Sequence, residues 1–355
     1  MGDLPGVPMR LRSILPAFCF IWLPVSQVVA QKAPAYLGQP LPGREAVLFA
    51  PGILNNGQST RDITLMPDGS EIYVGLFLPG FRKAVIIETH RQGKGWTAPE
   101  VAAFSRDPRW RCMEPCISPD GQGFYFVSDR PQDPKGDRPW PFGIWVMTRE
   151  GRSWSEAHRL PVEVNGPGNA FYPTIRRDGT LYFLREEGQG GWLMRSSWQR
   201  GTWTAAEKLP PPFNAGPRQA NPRVDPEGRF MLVPMMGRPD SLGGADYYGY
   251  FKREDGTWTE PVHLGPTVNS SAGDEFSINL SPDGKVVFFG SDRTLPRLEG
   301  KPLRYAEILA ERPWPAMGLR PSGGSMPASC GTCARRRWRF PGSDFSPRPA
   351  EAKGS

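Results

Sequence analysis

Histidine is scarce in this chain: three in 355 residues, His90, His158 and His263. Imidazole bases, and the triads and zinc sites built on them, have few places to form. His158 and His263 follow recurring tryptophans where a matching stretch carries Lys208, which reads as exposed strand. The short motifs with known mechanics are missing too. There is no phosphate-cradling P-loop, no His-Glu-x-x-His, no Gly-x-Ser-x-Gly elbow and no Gly-x-Gly-x-x-Gly. No catalytic residue, cofactor or metal is assigned on this basis.

Cysteine is also sparse, at five. Cys19 lies in the N-terminal apolar stretch and is expected to leave with it, which keeps Cys112, Cys116, Cys330 and Cys333. In an extended strand at ~3.3 Å per residue, Cys112 and Cys116 stand roughly 13 Å apart, too far for a disulfide. A four-thiolate zinc site with Cys330 and Cys333 would require the C-terminal tail to fold back, so buried free thiols are the expected state.

Long hydrophobic runs are absent apart from Ile14 to Leu23, which Pro16 interrupts and Pro24 ends. Arg10 and Arg12 before it and Val28-Val29-Ala30 after it read as a secretory signal cut near Gln31, so 1–30 is assigned as a signal peptide. No stable membrane span is expected after its removal, and the mature chain is expected to be exported, periplasmic or extracellular. Net charge is nearly absent from the middle. The formal +7 belongs to the ends, because 312–355 carries seven Arg and one Lys against Asp344 and Glu351, and 31–311 is formally neutral. A nucleic-acid partner is therefore not expected. The segment 312–355 has no period and reads as a disordered basic tail, a candidate for a non-native ending.

What the chain has in abundance is turns and aromatics: 41 Gly, 41 Pro and 12 Trp. Acidic-Gly pairs begin at Asp68, Asp120, Asp178, Glu227 and Asp283, and each precedes an apolar run such as EIYVGLF, GFYFVS or KVVFF. Trp followed by Thr or Ser recurs at Trp96, Trp154, Trp203 and Trp258, 24 or 25 residues before the next acidic-Gly pair. A repeat of roughly 50 to 58 residues, rich in Pro and Gly and without helical spacing, is that of a four-stranded propeller blade. In the second repeat the strands are read as 114–118, 124–128, 143–148 and a fourth around Trp154.

After Asp283 the chain offers a second strand (286–290) and a third (303–309) but no Trp-Thr strand. The segment 46–55 stands in register with the outer strands elsewhere: Asn55, Asp107, Asn165, Asn214 and Asn269 lie 13 or 14 residues before their turns. The expected fold is thus all-β, a five-bladed propeller over 31–311, with an N-terminal strand completing the last blade and burying two sheet edges.

The strings SPDGQGFYFVSDR (118–130) and SPDGKVVFFGSDR (281–293), with GRSWSEAHRLPVEVN (151–165), resemble the WD-like β-propeller repeat of the TolB type. Glu227 in place of the turn Asp, and Arg185-Glu186-Glu187 in place of Ser-Asp-Arg, depart from it. The resemblance implies an exported binding or scaffolding module; such repeats also accompany peptidases and glycan enzymes.

In a propeller the Pro-Asp-Gly hairpins open on one face and the variable loops on the other, where ligands enter. Candidate ligand-face residues are Arg130, Trp140, Arg185 and Arg293 on the loops, and Arg61, Asp62, Glu114, Tyr172, Asn221, Asp274 and Glu275 near the inner strand starts. Trp110 and Trp140 fall outside the tryptophan period and are the aromatics open to ligand contact. The expected function is a monomeric, non-catalytic module that engages a protein or glycan partner. The competing reading is a glycan hydrolase or lyase pairing Glu114 with Asp274 or Glu275.

Overall fold

The computed structural model describes residues 36–55, 59–133, 135–188, 190–216, 218–271 and 273–291, all within the unit Ala33–Ser355. The expected signal segment, Arg293, the expected third strand at 303–309, Cys330, Cys333 and the C-terminal residues 312–355 lie outside the described residues.

Short antiparallel sheets follow one another along the chain. The first comprises Ser59–Leu65, Glu71–Phe77 and Ala84–Gln92, with Gly95–Trp96 and Glu100–Val101 both pairing the third strand. The second repeats this with Cys112–Ile117, Gly123–Ser128, Gly143–Glu150, Ser153–Trp154 and His158–Arg159. The third has Ala170–Ile175, Thr180–Glu187, Gly190–Gln199, Thr202–Trp203 and Glu207–Lys208. The fourth has Arg223–Val224, Phe230–Met236, Ala245–Phe251 and Val262–His263. Among the described residues a further sheet has two strands, Glu275–Leu280 and Val287–Ser291. The first strands of successive sheets neighbour one another, the radial packing of an all-β propeller with four-stranded blades.

Local chemistry explains the repeats. At each acidic-Gly pair the glycine takes a positive φ (Gly69 68°, Gly121 74°, Gly179 81°, Gly228 70°, Gly284 69°), which a side chain would strain. The turn aspartate accepts the amide two residues on, as Asp68 does from Ser70 (2.9 Å) and Asp120 from Gln122 (2.9 Å). Where Glu227 replaces that aspartate, Asp225 accepts the amides of Glu227 (3.2 Å) and Arg229 (3.1 Å) instead.

The Trp-Thr/Ser marker has an equally local cause. The outer strand is not one piece, as the sequence suggested, but splits around the residue after Trp. There the hydroxyl takes the place of a ladder carbonyl: Thr97, Ser155, Thr204 and Thr259 accept the amides of His90, Thr148, Ser197 and Phe251, each at 3.0 Å. The tryptophan is left to pack sideways. Trp154 donates to the Tyr73 hydroxyl of the first sheet (2.9 Å) and meets Phe124 edge-on at 5.2 Å.

Boundaries also shift from the sequence reading. The second blade's first strand begins at Cys112 rather than 114, because pairing resumes on the far side of the bulge described below, and its third runs to Glu150 rather than 148, because Arg149 and Glu150 pair with Trp154 and Ser153.

The core lies between sheets. Tyr73 and Ile86 of the first sheet pack on Phe124, Phe126 and Trp145 of the second, and Tyr73 and Phe124 meet edge-to-face at 4.8 Å. Full burial of one such ring contributes ~1.5–3 kcal/mol. The segment expected to pair as a closing strand, 46–55, instead turns back on itself through a bridge between Pro51 and Asn55. It packs Phe49, Ala50 and Leu54 against Ile63 and Ile72 of the first sheet and Val286 and Phe288 of the two-stranded sheet.

Asparagines clamp the third strands. Asn165, Asn214 and Asn269 each accept an amide and return a donor to the same residue, Ile144, Leu193 and Tyr247. In the first blade Ser105, not the Asp107 that the count singles out, accepts the corresponding amide of Ile86 (2.9 Å). Asn55 is buried and donates to the Phe49 carbonyl (3.2 Å), while its Oδ1 has no partner among the described residues.

Candidate functional site

One residue in each first strand, or just before it in the fourth sheet, adopts left-handed backbone without being glycine: Asp62 (φ 59°), Glu114 (56°), Tyr172 (57°), Asn221 (45°) and Ser277 (65°). Where the sheet is long enough to show it, each sits in a bulge that interrupts the pairing, between Arg61 and Thr64, Met113 and Cys116, Phe171 and Thr174, and Phe276 and Asn279. Such backbone costs of order 1–3 kcal/mol per residue and persists only where the surroundings fix it. Each residue stands six positions before the acidic residue of its turn. That constant offset names Ser277, which the sequence reading missed, and leaves out Asp274 and Glu275, which it included.

The bulges bring their side chains together at the inner ends of the blades. The Arg61 guanidinium holds two carboxylates, Asp62 at 2.7 Å and Glu114 at 3.3 Å, and lies 4.6 Å from the Phe77 ring centroid. Glu114 Oε2 accepts the Tyr172 amide at 2.6 Å, reaching from the second blade to the third. Asp62 donates its amide to the Ser277 hydroxyl at 2.6 Å, and its carboxylate accepts from Ser277 and from Asn221 (3.4 Å). The strained residues thus exchange hydrogen bonds between blades.

Burial pushes the Glu114 carboxyl up to about 8; the charge of Asp62 adds to this, while Arg61 and the Tyr172 amide pull it back. Burial also drives the Tyr172 hydroxyl upward, with Glu114 adding to it. For Arg61, burial favours the neutral form, but Asp62 first and Glu114 after it more than offset this and hold the guanidinium charged. The space beside the cluster, lined by Asp62, Glu114, Tyr172, Asn221, Arg223 and Asn279, amounts to about 10 Å³. That is at the threshold for a single water, far below the room a sugar or peptide needs.

The other candidates lie elsewhere. Glu275 is buried and accepts the hydroxyls of Ser270 (2.7 Å) and Ser291 (2.8 Å), and Asp274 sits at a bridge to Ala245. Arg130 is half-buried: it lies 5.2 Å from the ring centroids of both Phe126 and Trp145 and donates to the Phe104 carbonyl at 2.8 Å. Arg185 is buried, bonded to the Val164 carbonyl (2.9 Å) and to Glu187. Trp110 is buried, whereas Trp140 is 44% exposed. His158 is exposed, but His263 is not the exposed strand position expected: its Nε2 meets Asp246 at 2.8 Å and its Nδ1 accepts the Gly265 amide at 3.1 Å. Both ring nitrogens are thereby engaged. Cys112 and Cys116 are buried free thiols, and among the described residues no three His, Cys, Asp or Glu side chains converge as a metal site. A larger cavity of about 250 Å³ lies between residues 36–49 and Val286–Ser291, along an edge of the two-stranded sheet that pairs with no strand among the described residues.

The loop-bearing rim between the first two blades has a different character. Arg111 lies 5.1 Å from the centroid of Phe81 and 4.5 Å from that of Phe142, and pairs with Asp129 at 2.8 Å. Lys83 donates to the carbonyls of Asp107 (3.1 Å) and Trp110 (2.6 Å). Trp140, between Pro139 and Pro141, gives its amide to the Asp129 carbonyl (2.9 Å) and carries the Arg159 guanidinium 5.7 Å from its ring centroid.

No family model matches the chain, and no curated protein matches it. Among solved structures it is similar to TolB from Acinetobacter baumannii, with 17% identity over 65% of this chain and 48% of that one and a TM-score of 0.42. The chain thus spans about half the length of that protein. It is also similar to a puromycin-hydrolysing peptidase from Mycobacterium tuberculosis, with 14% identity over 63% of this chain and 32% of that one and a TM-score of 0.38. A protein named glycoside hydrolase shows 11% identity over 62% of this chain and 78% of that one, with a TM-score of 0.41. At these values the propeller assignment rests on the strand order and packing of the sheets themselves.

Proposed function

We propose that the chain is an exported, monomeric binding propeller, built from WD-like repeats of the TolB type, which engages a protein or glycan partner through its loop-bearing face and performs no catalysis. The observation that carries this reading is the state of the inner ring. Its two carboxylates are occupied by Arg61, the Tyr172 amide and Ser277, and the space beside them holds about one water. On the rim, by contrast, Trp140, Arg82 and Arg138 are exposed. The test is an array of glycans and peptides probed with the full chain, then with the double variant Trp140→Ala/Arg82→Ala. A ligand whose binding drops at least tenfold in the variant supports the reading; one that binds both proteins equally overturns it. Fractionation of the expressed chain, with N-terminal sequencing at a cut near Gln31, tests export.

We also infer five blades. Asn55 occupies the clamp position that Asn165, Asn214 and Asn269 hold in theirs, and its buried Oδ1 is matched to the amide of a third strand in the last blade, for which 303–309 is the candidate. The groove along Val286–Ser291 is where that strand would add. An Asn55→Ala variant that melts no differently from the parent chain would overturn this closure.

One observation favours the glycan-active alternative. Glu114 is held protonated near neutral pH beside Asp62, the division of labour that a general acid and a carboxylate partner need. If sugar release from any polysaccharide is found, Glu114→Gln abolishes it on this reading, and activity that survives in that variant excludes the pair.

A further inference from the structure

The rim between the first and second blades is charged out of proportion to the rest of the propeller. Its segments 78–83, 106–111 and 129–142, with Arg159, carry nine Arg and Lys against four Asp, in a region (31–311) whose formal charge sums to zero. The contacts of Arg111, Lys83 and Trp140 described above join these segments into one surface. Two of the aspartates are consumed locally, Asp107 by Arg109 and Asp129 by Arg111. Arg82, Arg138 and Arg159 have no carboxylate partner among the described residues, and Arg82 and Arg138 are exposed.

Arg159 is the most telling of them. Its guanidinium packs directly over the Gly143 backbone, where a Cβ would come within 2.3 Å of it. It donates to the Pro141 carbonyl at 3.2 Å, and its Nη1 is buried without an acceptor. Burial favours its neutral form and no carboxylate offsets this. A half-buried cation held in place without a counter-ion attracts an anion. Beside it, Trp140 is exposed, and the prolines on either side fix its backbone so that little freedom is lost on binding.

We propose that this rim binds an acidic polysaccharide, a polyuronate chain whose sugar face stacks on Trp140 while its carboxylates meet Arg159, Arg138 and Arg82. The proposal rests on the loop-face reading above and gives it a ligand class. A flat exposed ring suits the apolar face of a pyranose, and the flanking guanidinium groups suit a carboxylate repeated along a chain.

Isothermal titration of the full chain with polygalacturonate, its methyl ester and polyglutamate tests it. The expected result is saturable binding of polygalacturonate that weakens with added salt, and at least tenfold weaker binding of the ester and of polyglutamate. Trp140→Ala and Arg82→Ala, both at exposed positions, are expected to weaken polygalacturonate binding tenfold and about threefold, with unchanged melting. No binding of polygalacturonate, equal binding of the ester, equal binding of polyglutamate, or binding indifferent to Trp140→Ala each overturns the proposal. A neutral or peptide ligand that needs Trp140 would overturn the polyuronate assignment alone. A ligand indifferent to every rim substitution would overturn the loop-face reading with it.

Discussion

The inner ring and the loop rim both gather arginine, carboxylate and aromatic side chains, and they use them in opposite ways. In the ring, Arg61 is surrounded by Asp62, Glu114 and Phe77, and each bond runs to a neighbouring blade or to the bulge that creates the next one. On the rim, Arg159 and Trp140 meet each other and little else, and Arg82 and Arg138 face solvent. Strained backbone and perturbed protonation therefore coincide with bonds between blades, whereas exposure and unbalanced charge coincide with the loops.

Breaking the ring tests that contrast most severely. Arg61→Leu leaves the buried Asp62 carboxylate without its cation and Glu114 without a hydrogen-bond donor, a change worth ~3–5 kcal/mol, and is expected to lower the melting temperature more than any rim substitution. Ser277→Ala removes one acceptor and one donor between Asp62 and the two-stranded sheet and is expected to cost ~1–3 kcal/mol by chemical denaturation.

Glu114 adds a pH signature to the ring. Its folded value of about 8 is raised above the ordinary glutamate value of about 4.3, so the folded chain holds the extra proton. Its contribution to stability is fully present below pH ~4.3 and declines as pH rises through 8. Melting curves of Glu114→Gln between pH 5 and 8 are expected to lose that slope; a slope unchanged in the variant would assign it elsewhere.

The rim is tested by the reverse pattern. Gly143→Ala pushes a methyl group into Arg159, whose long side chain swings away, so polygalacturonate binding is expected to fall while stability changes by less than ~1 kcal/mol. The smallest expected effect is at His90. Its hydrogen bond to Glu88 raises its affinity for a proton, so it stabilises the fold below the ordinary histidine value and loses this as pH rises through the raised one. The pair is exposed enough that His90→Gln is expected to change stability by no more than ~0.5 kcal/mol at pH 6.

Much of the architecture was legible in the sequence because its causes are local. The acidic-Gly pairs mark hairpins because glycine supplies the positive φ, and Trp-Thr marks the outer strand because the hydroxyl replaces a ladder acceptor within eight residues. The candidate site was legible only in part. Arg61, Asp62, Glu114, Tyr172 and Asn221 do converge, while Arg130 and Arg185 are engaged by interior carbonyls, of Phe104 and Val164, that lie more than 20 residues away in sequence. Ser277 was within reach, since it shares the six-residue offset to its turn, but a serine among carboxylates carries no chemical signal of its own.

Composition and spacing alone thus determined that the chain is a repeating all-β propeller, where its hairpins lie, and that its net positive charge falls outside residues 31–311. Tertiary structure alone decided which charged residues are satisfied. Whether an arginine is a lock or a free cation depends on the carboxylates and rings that neighbouring blades bring within about 3 to 6 Å, distances set by radial packing rather than by position along the chain.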